Sequence, residues 1–152
     1  MSVVYLSLGS NMGDRETLLE LSIKEINDQI GDVTKVSGKY ETEPWGFVSA
    51  NKFLNMAIEV HTSLPPSEIS KRVHQIEYDL GRRRDPRSTG YQDRVIDIDI
   101  LMIDDIVSNE EYLTLPHPRM HQREFVLQPM REIAPNIVHP TLRVTIKEIK
   151  TE

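Results

Sequence analysis

Asp97 and Asp99 are separated by one isoleucine in the run Asp97-Ile98-Asp99-Ile100. In a strand this spacing sends both carboxylates to one face, about 6 to 7 Å apart along the backbone, and the isoleucines to the other. Neighbouring carboxylates on an otherwise apolar strand repel one another and lose hydration unless a cation or several donors compensate them. Mg²⁺ suits such a pair, because it prefers hard oxygen ligands, takes one or two protein carboxylates and completes its shell with water and phosphate. Two carboxylates can also support a pair of ions. The competing reading is a strand face whose aspartates simply pair with arginines.

Arginines stand immediately upstream. From Arg82 to Arg94 the chain carries Arg82, Arg83, Arg84, Arg87 and Arg94 against Asp85 and Asp93, a local balance of +3 that leaves −9 elsewhere in a chain of net charge −6. Such a segment either docks an anion or is a solvated basic loop. Metal-binding carboxylates beside arginines are the apparatus of phosphoryl or nucleotidyl transfer, in which catalysis is mainly positioning and charge neutralisation. Gly9-Ser10-Asn11-Met12-Gly13-Asp14 is not a phosphate loop of the Walker type, since it lacks the Lys-Ser/Thr ending.

Other residues add to this nucleus. Glu77, near the end of a predicted helix, either projects toward the basic segment or is a surface charge. His117 is held between Pro116 and Pro118, in a structural or a functional role; His61, His74, His121 and His139 have weaker claims. Trp45, Phe53 and Phe125 either pack in the core or form a platform for a flat ring. Beside them, the Asn55 amide both donates and accepts, so it can read the edge of a planar heterocycle.

These residues need elements to hold them. Val3 to Leu8 reads as a buried strand running into Gly9-Ser10-Asn11. Leu19, Ile23, Ile26 and Ile30 recur at helical spacing between a capping Asp14 and Gly31, predicting a helix from about Asp14 to Ile30. Val33 to Tyr40 should be a second strand, followed by a loop at Glu43-Pro44-Trp45-Gly46. In Phe53 to His61, alternation puts Leu54, Met56, Ile58 and Val60 on one face and Asn55 beside Phe53 on the other. Pro65-Pro66 opens a helix whose stripe of Ile69, Val73, Ile76 and Leu80 ends at Gly81. Arg94 to Ile103 is a strand, Asp104-Asp105 a hairpin turn with Ile106-Val107 pairing back, and Glu124 to Ile133 a short helix. The order strand, helix, strand, strand, helix, strand implies an α+β sandwich on a mixed, largely antiparallel sheet.

Composition bounds the rest. At 152 residues, 38% hydrophobic and 28% charged, the chain has the size and balance of a single globular domain spanning 1–152. It contains no cysteine, which excludes disulfides, thiolate metal sites and cysteine nucleophiles and permits a reducing compartment. The negative net charge argues against general nucleic-acid binding. Val3 to Leu8 is too short to span a bilayer and no basic leader precedes it, so a cytoplasmic protein is expected.

With the motifs assembled, the chain resembles the 6-hydroxymethyl-7,8-dihydropterin pyrophosphokinase family. The resemblance rests on Leu8-Gly9-Ser10-Asn11, Tyr40-Glu41-Thr42-Glu43-Pro44, Phe53-Leu54-Asn55, Ile76-Glu77, Gly81-Arg82-Arg83-Arg84, Asp97-Ile98-Asp99-Ile100-Leu101, Pro116-His117-Pro118 and Arg123-Glu124-Phe125-Val126-Leu127, in this order and at these separations. It implies a ferredoxin-like fold, and transfer of the terminal two phosphates of ATP to the pterin hydroxymethyl group with release of AMP, in folate biosynthesis.

By the same resemblance, Asp97 and Asp99 would hold two magnesium ions between protein and triphosphate, and Arg82, Arg84 and Arg94 would lie near the phosphates. Glu77, Ile100, Thr114, His117 and Arg123 match ATP-contacting positions. Thr42, Pro44, Trp45 and Asn55 match the pterin-binding loop and amide, and Phe53 and Phe125 the two aromatic faces of the pterin site. A monomer is expected. Departures lie at Gly90-Tyr91-Gln92-Asp93-Arg94, where many relatives carry an aromatic residue followed by Gly-Pro-Arg, at Tyr112, where some use arginine, and at His74, which takes the place of a polar amide. Two other functions fit the bare residues: another Mg²⁺-dependent phosphotransferase or nucleotidyltransferase, and a small-ligand sensor that binds without turnover.

Overall fold

The computed structural model describes residues 1–44, 51–82 and 95–151. The elements that position the site are β1 (Ser2–Ser10), α1 (Arg15–Gln29), β2 (Asp32–Val36), β3 (Tyr40–Thr42), β4 (Phe53–Thr62), α2 (Pro66–Asp79) and β5 (Asp97–Ile103). They are followed by β6 (Ser108–Glu110), β7 (Leu113–Leu115) and α3 (Glu124–Ile133). The main sheet runs β2-β4-β1-β5, with β3 also on β4, and its pairings are antiparallel. Two strand-helix-strand units interleaved in this order give the ferredoxin-like sandwich that the element order implies.

Alternation divides the sheet into two faces. Val4, Leu6 and Leu8 of β1 and Leu54, Met56, Ile58 and Val60 of β4 pack with Leu19 and Ile26 of α1 and with Ile69, Val73 and Ile76 of α2. On the opposite face Tyr5 and Ala57 meet Val126, Leu127, Met130 and Ile133 of α3. Each such aliphatic side chain, when fully buried, contributes about 1.5 to 3 kcal/mol of hydrophobic stabilisation, so both helical layers are anchored through the central strands. The α1 cap forms as its sequence directs, with the Asp14 carboxylate accepting from the Thr17 N–H at 3.2 Å.

Strand β5 carries an irregularity that periodicity cannot reveal. Tyr5 aligns with Met102 but Leu6 aligns with Ile100, leaving Leu101 as an extra residue. Ile98, Ile100 and Ile103 therefore belong to the α1/α2 core, whereas Leu101 and Met102 both belong to the α3 core.

Three expectations require correction, the first being that Val95 and Ile96, expected within the strand over Arg94 to Ile103, precede β5. The strand expected over Val33 to Tyr40 is split into β2 and β3, because Ser37, Gly38 and Lys39 stand opposite only Met56 and Ala57. At the break, the Ser37 hydroxyl accepts from the Ala57 N–H at 2.9 Å, and Glu132 of α3 accepts from the Gly38 N–H at 3.0 Å. After Asp104-Asp105, Ile106-Val107 does not pair back along β5. Asp104 takes a left-handed backbone (φ 48°) and its carboxylate accepts from the Val3 N–H at 2.8 Å. Ile106 packs onto the α1/α2 core, and the hairpin forms later, between β6 and β7.

Candidate active site

The site is assembled where α2 ends and β5 begins. Gly81 has φ +105°, a left-handed conformation that lets the chain leave the helix and turn toward the sheet. Arg82 follows, its backbone N–H donating to the Glu77 carbonyl at 3.0 Å. Its guanidinium donates from one nitrogen to the Glu77 carboxylate at 2.6 Å and to the Asp97 carboxylate at 3.1 Å. The same Glu77 oxygen accepts from the Ile98 N–H at 2.8 Å. Glu77 is thus a buried bridge between helix and strand, only 4% exposed, and not a surface charge. Burial pushes its carboxyl above the usual carboxylate range, against the opposing pull of Arg82 and the Ile98 N–H. Arg82, facing Glu77 and Asp97, is held firmly charged even though its own burial acts the other way.

The isoleucines of the acidic motif are buried and its carboxylates are half-open, as alternation requires. The Asp99 side chain comes within 3.9 Å of the Arg123 guanidinium, which in turn lies over the Phe125 ring, 5.7 Å from its centroid. Arg123 occupies the cap position of α3, so the start of that helix delivers both side chains to this face of the sheet.

His117 arrives by a separate route. Its backbone N–H donates to the carbonyl of the extra residue Leu101 at 2.8 Å, fixing the Pro116-His117-Pro118 segment against the sheet. Its Nδ1 accepts from the Arg119 N–H at 3.1 Å, leaving Nε2 to carry the proton of the neutral ring. Burial, reinforced by Arg123 and Arg119 and opposed by Asp97, lowers its pKa to about 4. His117 is therefore neutral near pH 7.

These side chains surround one polar hollow of about 390 Å³, lined by Glu77, Arg82, Asp97, Asp99, His117 and Arg123 together with His74 and Arg119. A second hollow of about 250 Å³ shares His74, Asp99 and His117 with it and extends over Ile100, Thr114 and Tyr112. Arg119 went unnoticed in the sequence, where its place one residue after Pro118 was the available signal. The second hollow is lined by apolar Val73, Ile98, Ile100 and Leu113 and by polar Ser70 and Thr114.

Thr42, Phe53 and Asn55 meet further across the same face. Thr42 pairs with Phe53, and the Asn55 amide, 2% exposed, donates to the Thr42 hydroxyl at 2.6 Å. Pro44 follows Thr42 as half-buried, irregular chain. Trp45, Arg84 and Arg94 lie outside the described residues, as do Arg83, Arg87, Gly90 and Tyr91.

The strand order and the two helical layers define a ferredoxin-like α+β protein, and solved structures share that fold. A crystal structure of HPPK-DHPS in complex with substrates superposes with a TM-score of 0.76 at 15% identity, covering 97% of this chain and 42% of that one. Wild-type Plasmodium falciparum HPPK-DHPS with pteroate gives 0.75 at 16% identity, covering 96% and 41%. This chain thus spans well under half the length of those solved chains.

Residues 5–135 match the model of the 7,8-dihydro-6-hydroxymethylpterin-pyrophosphokinase family, and the chain belongs to that family. Among curated relatives, the 2-amino-4-hydroxy-6-hydroxymethyldihydropteridine pyrophosphokinase of Porphyromonas gingivalis is 44% identical over 142 residues, covering 92% of this chain and 95% of that protein. The protein of the same name from Aquifex aeolicus is 38% identical over 152 residues, covering 100% and 92%.

Proposed function

We propose that the chain transfers pyrophosphate from ATP to 6-hydroxymethyl-7,8-dihydropterin, giving AMP and the pterin diphosphate, a step of folate biosynthesis. The observation that carries this reading is the meeting of Asp97, Asp99, Arg82, Arg123 and His117 around one hollow, on the sheet face that also holds Asn55 and Thr42, in a member of this family. In the reaction, the pterin hydroxymethyl oxygen attacks the β-phosphorus and loses its proton. The bond from that phosphorus to the oxygen bridging to the α-phosphate breaks, and AMP leaves with the electron pair.

Asp97 and Asp99 are the residues that would hold magnesium. They fit the ion in that both present hard oxygen donors to the hollow. A two-carboxylate site with phosphate and water completing the shell is the usual arrangement for Mg²⁺. When bound there, two such ions would supply charge neutralisation of the triphosphate.

The chain's own groups do the remainder. Arg82 and Arg123, joined in this reading by Arg84 and Arg94, stabilise charge that grows on the phosphate oxygens. Neutral His117 donates from Nε2 without adding charge, and Glu77 fixes Arg82 and the first residues of β5. Ile100 and Thr114 border the nucleoside end of ATP. Thr42, Pro44, Trp45 and Asn55 receive the pterin edge, with Phe53 and Phe125 against its faces.

The chain acts in this reading as one domain and as a monomer in the cytoplasm. No described helix is long and apolar enough to cross a membrane. Incubation with ATP, Mg²⁺ and the hydroxymethyl pterin, followed by chromatography, tests the reaction. AMP and a pterin diphosphate are expected, whereas free pyrophosphate would indicate nucleotidyl transfer and binding without turnover a sensor.

A further inference from the structure

We propose that Arg15 is a positioning residue for the pterin pocket, acting through the backbone of the β3–β4 pair from the opposite face of the sheet. The inference rests on the reading of Thr42 and Asn55 as pterin-binding residues. Arg15 is the first residue of α1, and its guanidinium joins β3 to the residue before β4: one nitrogen donates to the Glu41 carboxylate at 2.9 Å and the other to the Lys52 carbonyl at 2.9 Å. Asn11, from the same β1–α1 connection, donates to the neighbouring carbonyl of Asn51 at 3.3 Å. Three donors from one connection thus hold β3 and the chain entering β4.

What they hold is also tied at its other end, where the Tyr40 hydroxyl and the Gly38 N–H both donate to Glu132 of α3, so the clamp serves the Thr42 end. Strand β3 is three residues long and pairs only through Tyr40, Glu41 and Thr42. Short terminal pairings of this kind open at low cost. Glu41 alternates with Thr42, so its side chain lies on the α1 side, whereas Thr42 and its partner Asn55 face α3. Arg15 therefore has no line of contact to a pterin bound at Asn55. It can influence that ligand only by fixing where β3 and β4 stand, and with them the 2.6 Å bond between Asn55 and Thr42.

The Arg15–Glu41 pair is also well exposed, with side-chain accessibilities of 31% and 49%. Exposed pairs add little to global stability, which separates a positioning role from a merely structural one. Loss of the clamp should loosen one pocket while leaving the fold and the phosphate hollow intact.

The test compares Arg15→Ala, Arg15→Lys, Glu41→Gln and Asn55→Ala by titration with the hydroxymethyl pterin, by titration with a nonhydrolysable ATP analogue and Mg²⁺, by steady-state kinetics and by thermal melting. For Arg15→Ala the pterin Kd and KM should rise about tenfold, the consequence of losing geometry set by two hydrogen bonds. Its kcat at saturation and its affinity for the ATP analogue should stay within about twofold, and its Tm should barely move. Arg15→Lys, which can reach only one partner, should fall between, and Arg15→Ala with Glu41→Gln should be no worse than Arg15→Ala alone. Unchanged pterin binding in Arg15→Ala, with binding lost in Asn55→Ala, would overturn the role of Arg15. A fall in both affinities together with Tm would also overturn it, by making the residue structural. Unchanged pterin binding in Asn55→Ala would instead overturn the pocket assignment, and the inference with it.

Discussion

Asn55 and Asp97 face the same side of the sheet from the strands flanking β1, and each is aligned with Gly9. Two strand spacings, about 10 Å, separate them, and the residue between has no side chain. The proposed pterin-reading amide and the proposed metal-binding carboxylate thus flank a floor without a side chain of its own, over which the Asn55 amide and the Phe53 ring edge lie.

Gly9→Ala should block this floor. A Cβ there would lie 2.9 Å from Asn55 Oδ1 and 3.6 Å from a Phe53 ring carbon, so the buried amide must move and strain its bond to Thr42. We expect pterin affinity to fall at least about tenfold while affinity for an ATP analogue changes by less than about twofold. Paired titrations read the difference; equal losses for both ligands would contradict the geometry.

Asp97→Asn and Asp99→Asn should each reduce kcat by about a thousandfold or more, because a neutral amide is a poor ligand for Mg²⁺ and leaves phosphate charge uncompensated. Stability should change by no more than about 1 kcal/mol, since both carboxylates are partly open to solvent. Steady-state kinetics and urea unfolding check the two halves. Near-normal turnover in either variant would remove that residue from the metal site.

Glu77→Ala should do the reverse of a surface substitution. It strips Arg82 of its 2.6 Å partner and leaves the Ile98 N–H without its acceptor at a buried site. Breaking such a bridge from one side costs about 3 kcal/mol, and Glu77→Gln, which retains an acceptor, should cost less. Urea denaturation without ligands measures this, and a loss below about 1 kcal/mol for the alanine variant would show that the bridge does not hold the helix to the strand.

His117 should make stability fall as the solution is acidified. Its folded pKa is about 4 against an ordinary 6.5. Between those values the unfolded chain binds the proton more readily, so stability is full above about pH 6.5, declines through the window and levels off below about pH 4. Buried His139, whose pKa is also lowered by burial, acts in the same direction. Thermal melts from pH 7 to 4, without ATP or Mg²⁺, should therefore show a shallower decline for His117→Gln than for the parent. Superimposable slopes would mean that the ring is not held neutral.

Much of this site was legible from local pattern. Alternation placed Asn55 beside Phe53 and set the two carboxylates against the two isoleucines, while Asp14, Gly81 and the apolar stripes located the helices. What escaped were relationships between residues far apart in sequence. The helix position of Glu77 left its direction open, and the acceptor role toward Ile98 exists only once α2 packs on β5. The break at Ser37 is set by bonds from Ala57 and Glu132, and the failure of Ile106-Val107 to pair back by the burial of Ile106 and the bond of Asp104 to Val3. Local alternation contains no trace of those partners.

The extra residue at Leu101 gives β5 two reading frames. Before it, odd-numbered positions carry the acids on the α3 side; after it, an even-numbered position, Met102, joins Leu101 in sealing the core on that same side. One ribbon thus has a wet end and a dry end on a single face. Point substitutions can alter either end alone, but loss or gain of one residue within Ile100 to Met102 would exchange them, turning the carboxylates inward or the apolar seal outward. Among related chains this strand should hold its length as strictly as it holds Asp97 and Asp99.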